Sequence, residues 1–452
     1  MSMPIARSIP QIRFALLAGI AALGLVLTTP REASAMKIQQ VTSPGGITAW
    51  LVEEHSVPLI AMQFAFKGGA AQDPADKAGT AHFLTAMLDE GAGEMRSAAF
   101  QQRIEELAVR MSFSAGQDNF SGSFQTLTEN RDPAIEMLRL ALNEPRFDAD
   151  AIERMRRQIG AGLKFDAKDP DKIASRAWFK IAFGDHPYGR PVKGLAETIA
   201  RIGRDDLEAY RKRNFARDNL KVAVVGDIDA AGLSKLLDRV FGALPAKAQL
   251  AKVANIEPKP GPVQKIIEMN VPQSVAQFGH SGIERKDKEF IPAYILNYIL
   301  GGGGFSSRLT EEVREKRGLA YSVYSYIYPY SHSSVYLGGV ATKNEAIAES
   351  LKVIRAELER MAKDGPTADE LKNAKQYLTG SYALRFDTSS KIASQLLWIQ
   401  IEDLGIDYID RRNDLVEAVS IEDVRHIARR LLQPGKLIVT IVGKPTKLKN
   451  GS

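Results

Sequence analysis

Leu220-Lys221-Val222-Ala223-Val224-Val225-Gly226 is a short apolar run that stops at a glycine, and Leu437-Ile438-Val439-Thr440-Ile441-Val442-Gly443 repeats it late in the chain. Runs of this length, rich in β-branched residues and closed by a turn former, read as buried strands. Upstream of each strand, residues 147–158 and 366–376 enter a charged helix after a Pro/Asp-type start. Gly443 follows Gly226, and Gln376 follows Gln158, at almost the same interval. Two landmarks recurring at nearly one offset predict an internal duplication.

Working outward, residues 245–262 separate the repeats and carry Pro245, Pro258, Pro260 and Pro262 among Lys and Ala, a linker composition. The reading divides the chain into an N-terminal domain over 36–246, a linker over 247–262 and a C-terminal domain over 263–452. In the first half, residues 47–52 and 59–66 read as antiparallel strands around a turn. Helices are expected over 79–90, 99–109, 132–142 and 150–165. Strands followed by runs of helices indicate an α+β fold, two homologous sandwiches of a mixed or antiparallel sheet covered by helices, rather than a doubly wound sheet.

With 452 residues, 44% hydrophobic and 25% charged, the composition is that of an ordinary globular protein longer than one core usually organises. The net charge of +6 is interspersed, without a basic block, so no nucleic-acid partner is expected. Arg7 and Arg13 precede an apolar run over 14–27 and then Ala33-Ser34-Ala35. That order predicts a signal peptide over 1–35, cleaved after Ala35, and an exported, periplasmic chain with no later membrane span. The alternative is an uncleaved N-terminal anchor. Cysteine is absent, which excludes a disulfide framework and thiolate ligands.

Gly79-Thr80-Ala81-His82-Phe83-Leu84-Thr85-Ala86 opens the first long helix of this reading. It resembles the inverted zinc motif H-x-x-E-H of the pitrilysin/insulinase family. The resemblance implies two histidines and a later glutamate as zinc ligands, with the motif glutamate as general base. Here only His82 matches. Thr85 stands at the base and Ala86 at the second histidine. Glu153, Arg154 and Arg156 resemble the opening of the later helix, but Gly162 stands at the third ligand. One histidine cannot hold a catalytic zinc, and an alcohol is no base near neutral pH. No metal is therefore expected in this chain. A weak site using His82 with Asp89 or Glu90 is the alternative.

Gly301-Gly302-Gly303-Gly304-Phe305-Ser306-Ser307-Arg308-Leu309, then Glu312-Val313-Arg314-Glu315-Lys316-Arg317-Gly318-Leu319-Ala320-Tyr321-Ser322, resembles the family's second signature. The resemblance implies that Arg314 and Tyr321 hold substrate and stabilise a charged tetrahedral intermediate. It also implies a structural role for His186-Pro187-Tyr188-Gly189 and an edge strand at Ser114-Ala115-Gly116 that takes substrate by β-augmentation. Heterodimeric members split these parts between subunits. The expectation is a non-zinc subunit of an exported metallopeptidase, half of a clam-like peptide chamber, with zinc in a partner that carries the intact motif. A non-proteolytic peptide-binding or scaffold protein is the alternative. A self-sufficient peptidase finds little support, because no two histidines stand at i+3 or i+4 spacing.

Overall fold

Gly226 and Gly443, the glycines that close the repeated strands, hold φ of +144° and +146°. Only glycine adopts that conformation without strain. The agreement extends to both sheets of the computed structural model, which describes residues 36–446 and 448. The expected signal peptide, residues 1–35, lies outside the described residues.

The first half contributes β1 (Gln39–Thr42), β2 (Thr48–Glu53), β3 (Leu59–Lys67), the short pair β4 (Gly91–Ala92) and β5 (Met95–Arg96), β6 (Arg110–Ala115), β7 (Asn119–Leu127) and β8 (Leu220–Gly226). Its helices are α1 (Thr80–Thr85), α2 (Ser97–Glu106), α3 (Arg131–Asn143), α4 (Ala149–Asp166), α5 (Pro170–Phe183), α6 (Ala196–Ile199), α7 (Arg204–Asn214) and α8 (Ala230–Phe241). The second half contributes β9 (Val263–Glu268), β10 (Gln273–Ser281), β11 (Ala320–Tyr330), β12 (Ser333–Lys343) and β13 (Ile438–Gly443). Its helices are α9 (Phe290–Asn297), α10 (Ile347–Asp364), α11 (Ala368–Gly380), α12 (Ser389–Ile401), α13 (Tyr408–Glu417) and α14 (Ile421–Leu431).

The first sheet runs β1-β2-β8-β3-β7-β6 and the second, read from its opposite edge, β9-β13-β10-β12-β11. In each, a parallel pair (β2 with β8, β9 with β13) is followed by three antiparallel pairings. Apart from β1, the two sheets share one topology. The match reaches side chains. Phe64 lies directly opposite Gly122, and Phe278 directly opposite Gly338. A Cβ on Gly122 would sit 2.1 Å from Phe64 Cζ, and one on Gly338 2.2 Å from Phe278 Cζ. Each ring therefore lies flat over a strand that has no side chain there. Phe66, Phe113 and Phe241 ring the Phe64 side chain edge-on, so it has nowhere to retreat. Overpacking of this kind costs about 1–3 kcal/mol. Gly122→Ala should lower unfolding free energy by that amount in urea titration, and an unchanged midpoint would contradict the packing.

Each sheet buries one face under its own helices. Ile60, Met62, Phe64 and Phe66 of β3 join the first core, and Ala276 and Phe278 of β10 join the second. The other face is covered reciprocally. Helix α5, from the first half, lies on β13 and β10, while α12, from the second half, lies on β8 and β3. Trp178 Nε1 donates to Ile438 O (3.1 Å) and Gln400 Nε2 to Val222 O (2.9 Å), one buried bond in each direction. Thr440 Oγ1 adds a bond to Ala174 O (2.8 Å). Residues Ile38–Ser452 accordingly form one unit. The proline-rich stretch between the halves is a strap. Ala251 N–H donates to Gln72 Oε1, Ile256 N–H to His332 O and Gly261 N–H to Lys436 O.

Two local expectations are corrected. Strands β2 and β3 do not form a hairpin, because β8 lies between them; the hairpin is β1 with β2. The apolar β8 needs both neighbours and a covered face, which puts it in the sheet centre. The helix expected over 79–90 also stops at Thr85. Thr85 Oγ1 bonds back to His82 O (2.7 Å), and Ala86 and Met87 close tighter turns on Phe83 and Leu84.

Candidate functional site

The start of α1 is set by Asp73. Its carboxylate accepts from Gly79 N (2.8 Å) and Ala81 N (3.0 Å), and Arg190 Nη1 donates to its backbone carbonyl (3.1 Å). Burial pushes the Asp73 carboxyl up to about 7, against those two hydrogen bonds. Gly79, at φ +99°, passes so close to Lys193 O and Gly194 that no side chain fits. The helix is thereby pinned to the loop that follows the His186-Pro187-Tyr188-Gly189 stretch.

Phe83, Leu84, Met87 and Leu88 are buried, leaving His82, Thr85, Ala86, Asp89 and Glu90 on the partly exposed side. Burial first, and the nearby Lys193 charge second, lower the proton affinity of His82. The other groups offer no ligand set. Glu90 is taken by Arg154 and by Ser97 Oγ (2.6 Å). Gly162 is exposed on α4, and a Cβ there meets nothing within 4 Å. Among the described residues no group of three His, Cys, Asp or Glu is placed to hold a metal ion. The residues at this site do not fit a catalytic zinc.

The second signature is assembled differently. Gly301 packs against β11: a Cβ there would lie 2.3 Å from Ser325 Oγ, and Asn297 exchanges hydrogen bonds with Ser325. Arg308 is mostly covered and held in a bidentate pair with Glu370 (2.6 Å at both oxygens), and it reaches Glu357 (3.3 Å). Glu312 is clasped by Lys316, Arg317 and Arg360, and the Lys316 hydrogen bond leads in holding its carboxyl down to about 2. These charged residues of the motif are structural.

Arg314 and Tyr321 are not structural in that way. Pairing along β11 slips between Ala320 and Ser322, a bulge that leaves Tyr321 unpaired and 80% exposed. The Arg314 guanidinium carbon lies 4.8 Å from the Tyr321 ring centroid and 4.8 Å from that of Phe305. Phe305 is itself 75% exposed. An arginine held between two open aromatic faces is fixed in direction, with N–H donors left to spend. Its ion pair with Glu315 (3.3 Å) uses Nε alone. Phe305 was not singled out from sequence. Its signal was a large apolar residue set among glycines and serines, where no core position is available.

The third element, Ser114-Ala115-Gly116, lies at the end of β6, the edge strand of the first sheet. Ser114 and Ala115 pair with Ser121 and Phe120, and among the described residues no strand lies on the outer edge of β6. Gly116 turns away: its N–H donates to Asn119 O, and its carbonyl accepts from Ala70 N. His186 accepts from Tyr188 N–H at Nδ1 (3.2 Å), so Nε2 carries the proton donated to Ala254 O (2.9 Å). Both ring nitrogens are spent on structure. Among the described residues, no hydrogen bond, ion pair or ring contact joins Arg314 or Tyr321 to His82, Thr85 or Ala86.

Comparison with known proteins places both halves. Residues 51–195 match the family model described as insulinase (peptidase family M16), and residues 201–378 match the one described as peptidase M16 inactive domain. The non-peptidase homolog YmxG of Helicobacter pylori is 25% identical over 423 residues, 92% of this chain and 96% of that protein. An uncharacterized zinc protease, YmxG of Bacillus subtilis, is 26% identical over 403 residues, 87% of this chain and 95% of that protein. The crystal structure of a peptidase M16 inactive domain from Pseudomonas fluorescens superimposes with a TM-score of 0.85 at 29% identity, over 92% of this chain and all of that one.

Proposed function

The chain belongs to the insulinase (peptidase M16) family, and from that premise we propose that it is the non-zinc subunit of an exported heterodimeric peptidase. A partner with the intact H-x-x-E-H motif supplies the zinc. This chain supplies Arg314, Tyr321 and half of the peptide chamber.

One contrast carries the reading. At the zinc position the ligand types are missing, and Glu90 is committed to Arg154. At the second position Phe305, Arg314 and Tyr321 are assembled, with both rings open to solvent and the guanidinium half-buried between them. Two large exposed rings around an arginine are the composition of a surface that another molecule covers. In that complex Arg314 donates to a substrate carbonyl and to the oxyanion that develops from it, with the Tyr321 hydroxyl as second donor. The free outer edge of β6 takes an extended peptide through main-chain hydrogen bonds. Export rests on Ala33-Ser34-Ala35 and the apolar run before it. No helix among the described residues is long and apolar enough to cross a membrane.

Sedimentation of the purified chain with the zinc-motif homologue from the same source tests the pairing. A single faster boundary at equimolar ratio is expected. Two independent boundaries at every ratio would contradict the heterodimer and leave the non-proteolytic scaffold.

A further inference from the structure

A pocket of about 260 Å³ opens at the seam between the halves, walled by the end of α4, by α5, by the loop over residues 188–194 and by Tyr330 at the end of β11. It lies outside the arginine–tyrosine cluster, and its charge is one-sided. Lys172, Arg176, Arg190 and Lys193 line it against one carboxylate, Asp166. Lys193 already neutralises Asp166 (2.8 Å), and that bond leads in holding the Asp166 carboxyl below its usual range. Lys172 and Arg176 stand one turn apart on α5, with Phe179 three residues further along the same face. Among the described residues Arg176 makes no hydrogen bond or ion pair. Phe179, Tyr188 and Tyr330 supply an aromatic floor, with Tyr330 packed on Phe179 (6.3 Å) and Tyr188 (4.8 Å).

The wall also carries hydrogen-bonding capacity of both signs. Gln117 spends its Nε2 on Arg190 O (3.1 Å), while its buried Oε1, like Arg190 Nε, has no hydrogen-bond partner among the described residues. Re-aiming either side chain presents an acceptor or a donor to a bound molecule. The volume is below the ~300–1,000 Å³ of sites for drug-sized ligands, which suits one residue of a peptide. Gln117 follows Ser114-Ala115-Gly116 directly in the chain, so this wall adjoins the end of β6.

We propose that this seam pocket binds a carboxylate of an extended peptide, either an acidic side chain or the C-terminal carboxylate. The guanidinium of Arg176 and the ammonium of Lys172 receive the charge, and the aromatic floor takes the apolar part of the residue. The proposal rests on the peptide-chamber reading, but it concerns this chain alone and needs neither partner nor zinc.

Fluorescence anisotropy on the purified full chain tests it, using labelled alanine pentapeptides. One pair compares a central Glu with Gln, both amidated. The other compares a free C-terminus with its amide. The proposal expects at least one carboxylate peptide to bind about tenfold tighter than its neutral counterpart, with the preference falling as salt is raised. Tighter binding in the first pair assigns the side chain, and in the second the chain end. Arg176→Gln, at a partly exposed helix position, should abolish the preference with the melting temperature unchanged, and Lys172→Gln serves if that variant fails to fold. Equal binding of charged and neutral peptides, no binding of any, or a preference that survives both variants would overturn the pocket. If the carboxylate preference stands but no complex forms with a zinc-motif homologue, only the heterodimer falls. If the complex forms and turns over peptide without the preference, only the pocket falls.

Discussion

Replacing Arg314 by alanine should lower kcat/KM of the reconstituted complex by about 100-fold or more while leaving this chain folded. Removing one preorganised donor to a tetrahedral oxyanion costs about 10²–10³ in rate, close to 3–4 kcal/mol of transition-state stabilisation. The same change removes little from the fold. Among the described residues Arg314 pairs only with the exposed Glu315, an interaction of roughly 0–1 kcal/mol, and stacks on rings that are themselves in solvent. Arg314→Lys should restore only a small part of the rate, because an ammonium lacks the planar fork that sits between Phe305 and Tyr321. Tyr321→Phe removes a hydroxyl from a residue 80% exposed and should cost turnover but not stability. Steady-state kinetics on the mixed subunits with thermal melts on this chain separate the two effects. Turnover unchanged in the Arg314→Ala complex would remove the residue from the mechanism.

Trp178→Ala should cost the fold about 3–5 kcal/mol, the range for emptying a fully buried aromatic site. The side chain is 0% exposed and packs over Gly279, where an added Cβ would meet its ring at 3.1 Å. Its indole N–H is also the partner of Ile438 O in β13, an interior strand of the other half, so truncation leaves that carbonyl without its donor. Since whole domains retain only ~5–15 kcal/mol, the loss is a large part of the total. The position matters as much as the size, because α5 is one of two exchanged helices that cover the second faces of the sheets. Either half expressed without the other should therefore expose an apolar sheet face and aggregate. A urea midpoint for Trp178→Ala within about 1 kcal/mol of the parent would contradict this account of how the halves are joined.

The duplication was legible because its signal is local. A strand ending in a glycine at φ near +145° has to be written into consecutive residues, and Leu220–Gly226 and Ile438–Gly443 both carry it. The helix exchange was not legible. Ala174, Trp178, Ala182 and Phe183 mark an apolar face on α5, but periodicity does not say which sheet that face covers. The placement of β8 between β2 and β3 failed for the same reason, since it joins strands far apart in the chain. At the site, the residues missing from the zinc motif were readable one by one. The division of labour in the second signature was not: Arg308 and Glu312 are as charged as Arg314, and only burial shows that they are tied inward while Arg314 is left outward. Phe305 escaped because residue type alone does not distinguish a core phenylalanine from an exposed one, and only its setting among glycines and serines marked it.

The central claim is that this chain completes a site it cannot build alone. Zinc content and peptidase activity should be measured on the purified chain, then on the chain mixed with the zinc-motif homologue from the same source. The account predicts a chain without stoichiometric zinc and without activity when alone, and chelator-sensitive peptide cleavage in the mixture that neither component shows separately. Stoichiometric zinc with cleavage by this chain alone would contradict the reading of Thr85, Ala86 and Gly162, and with it the account.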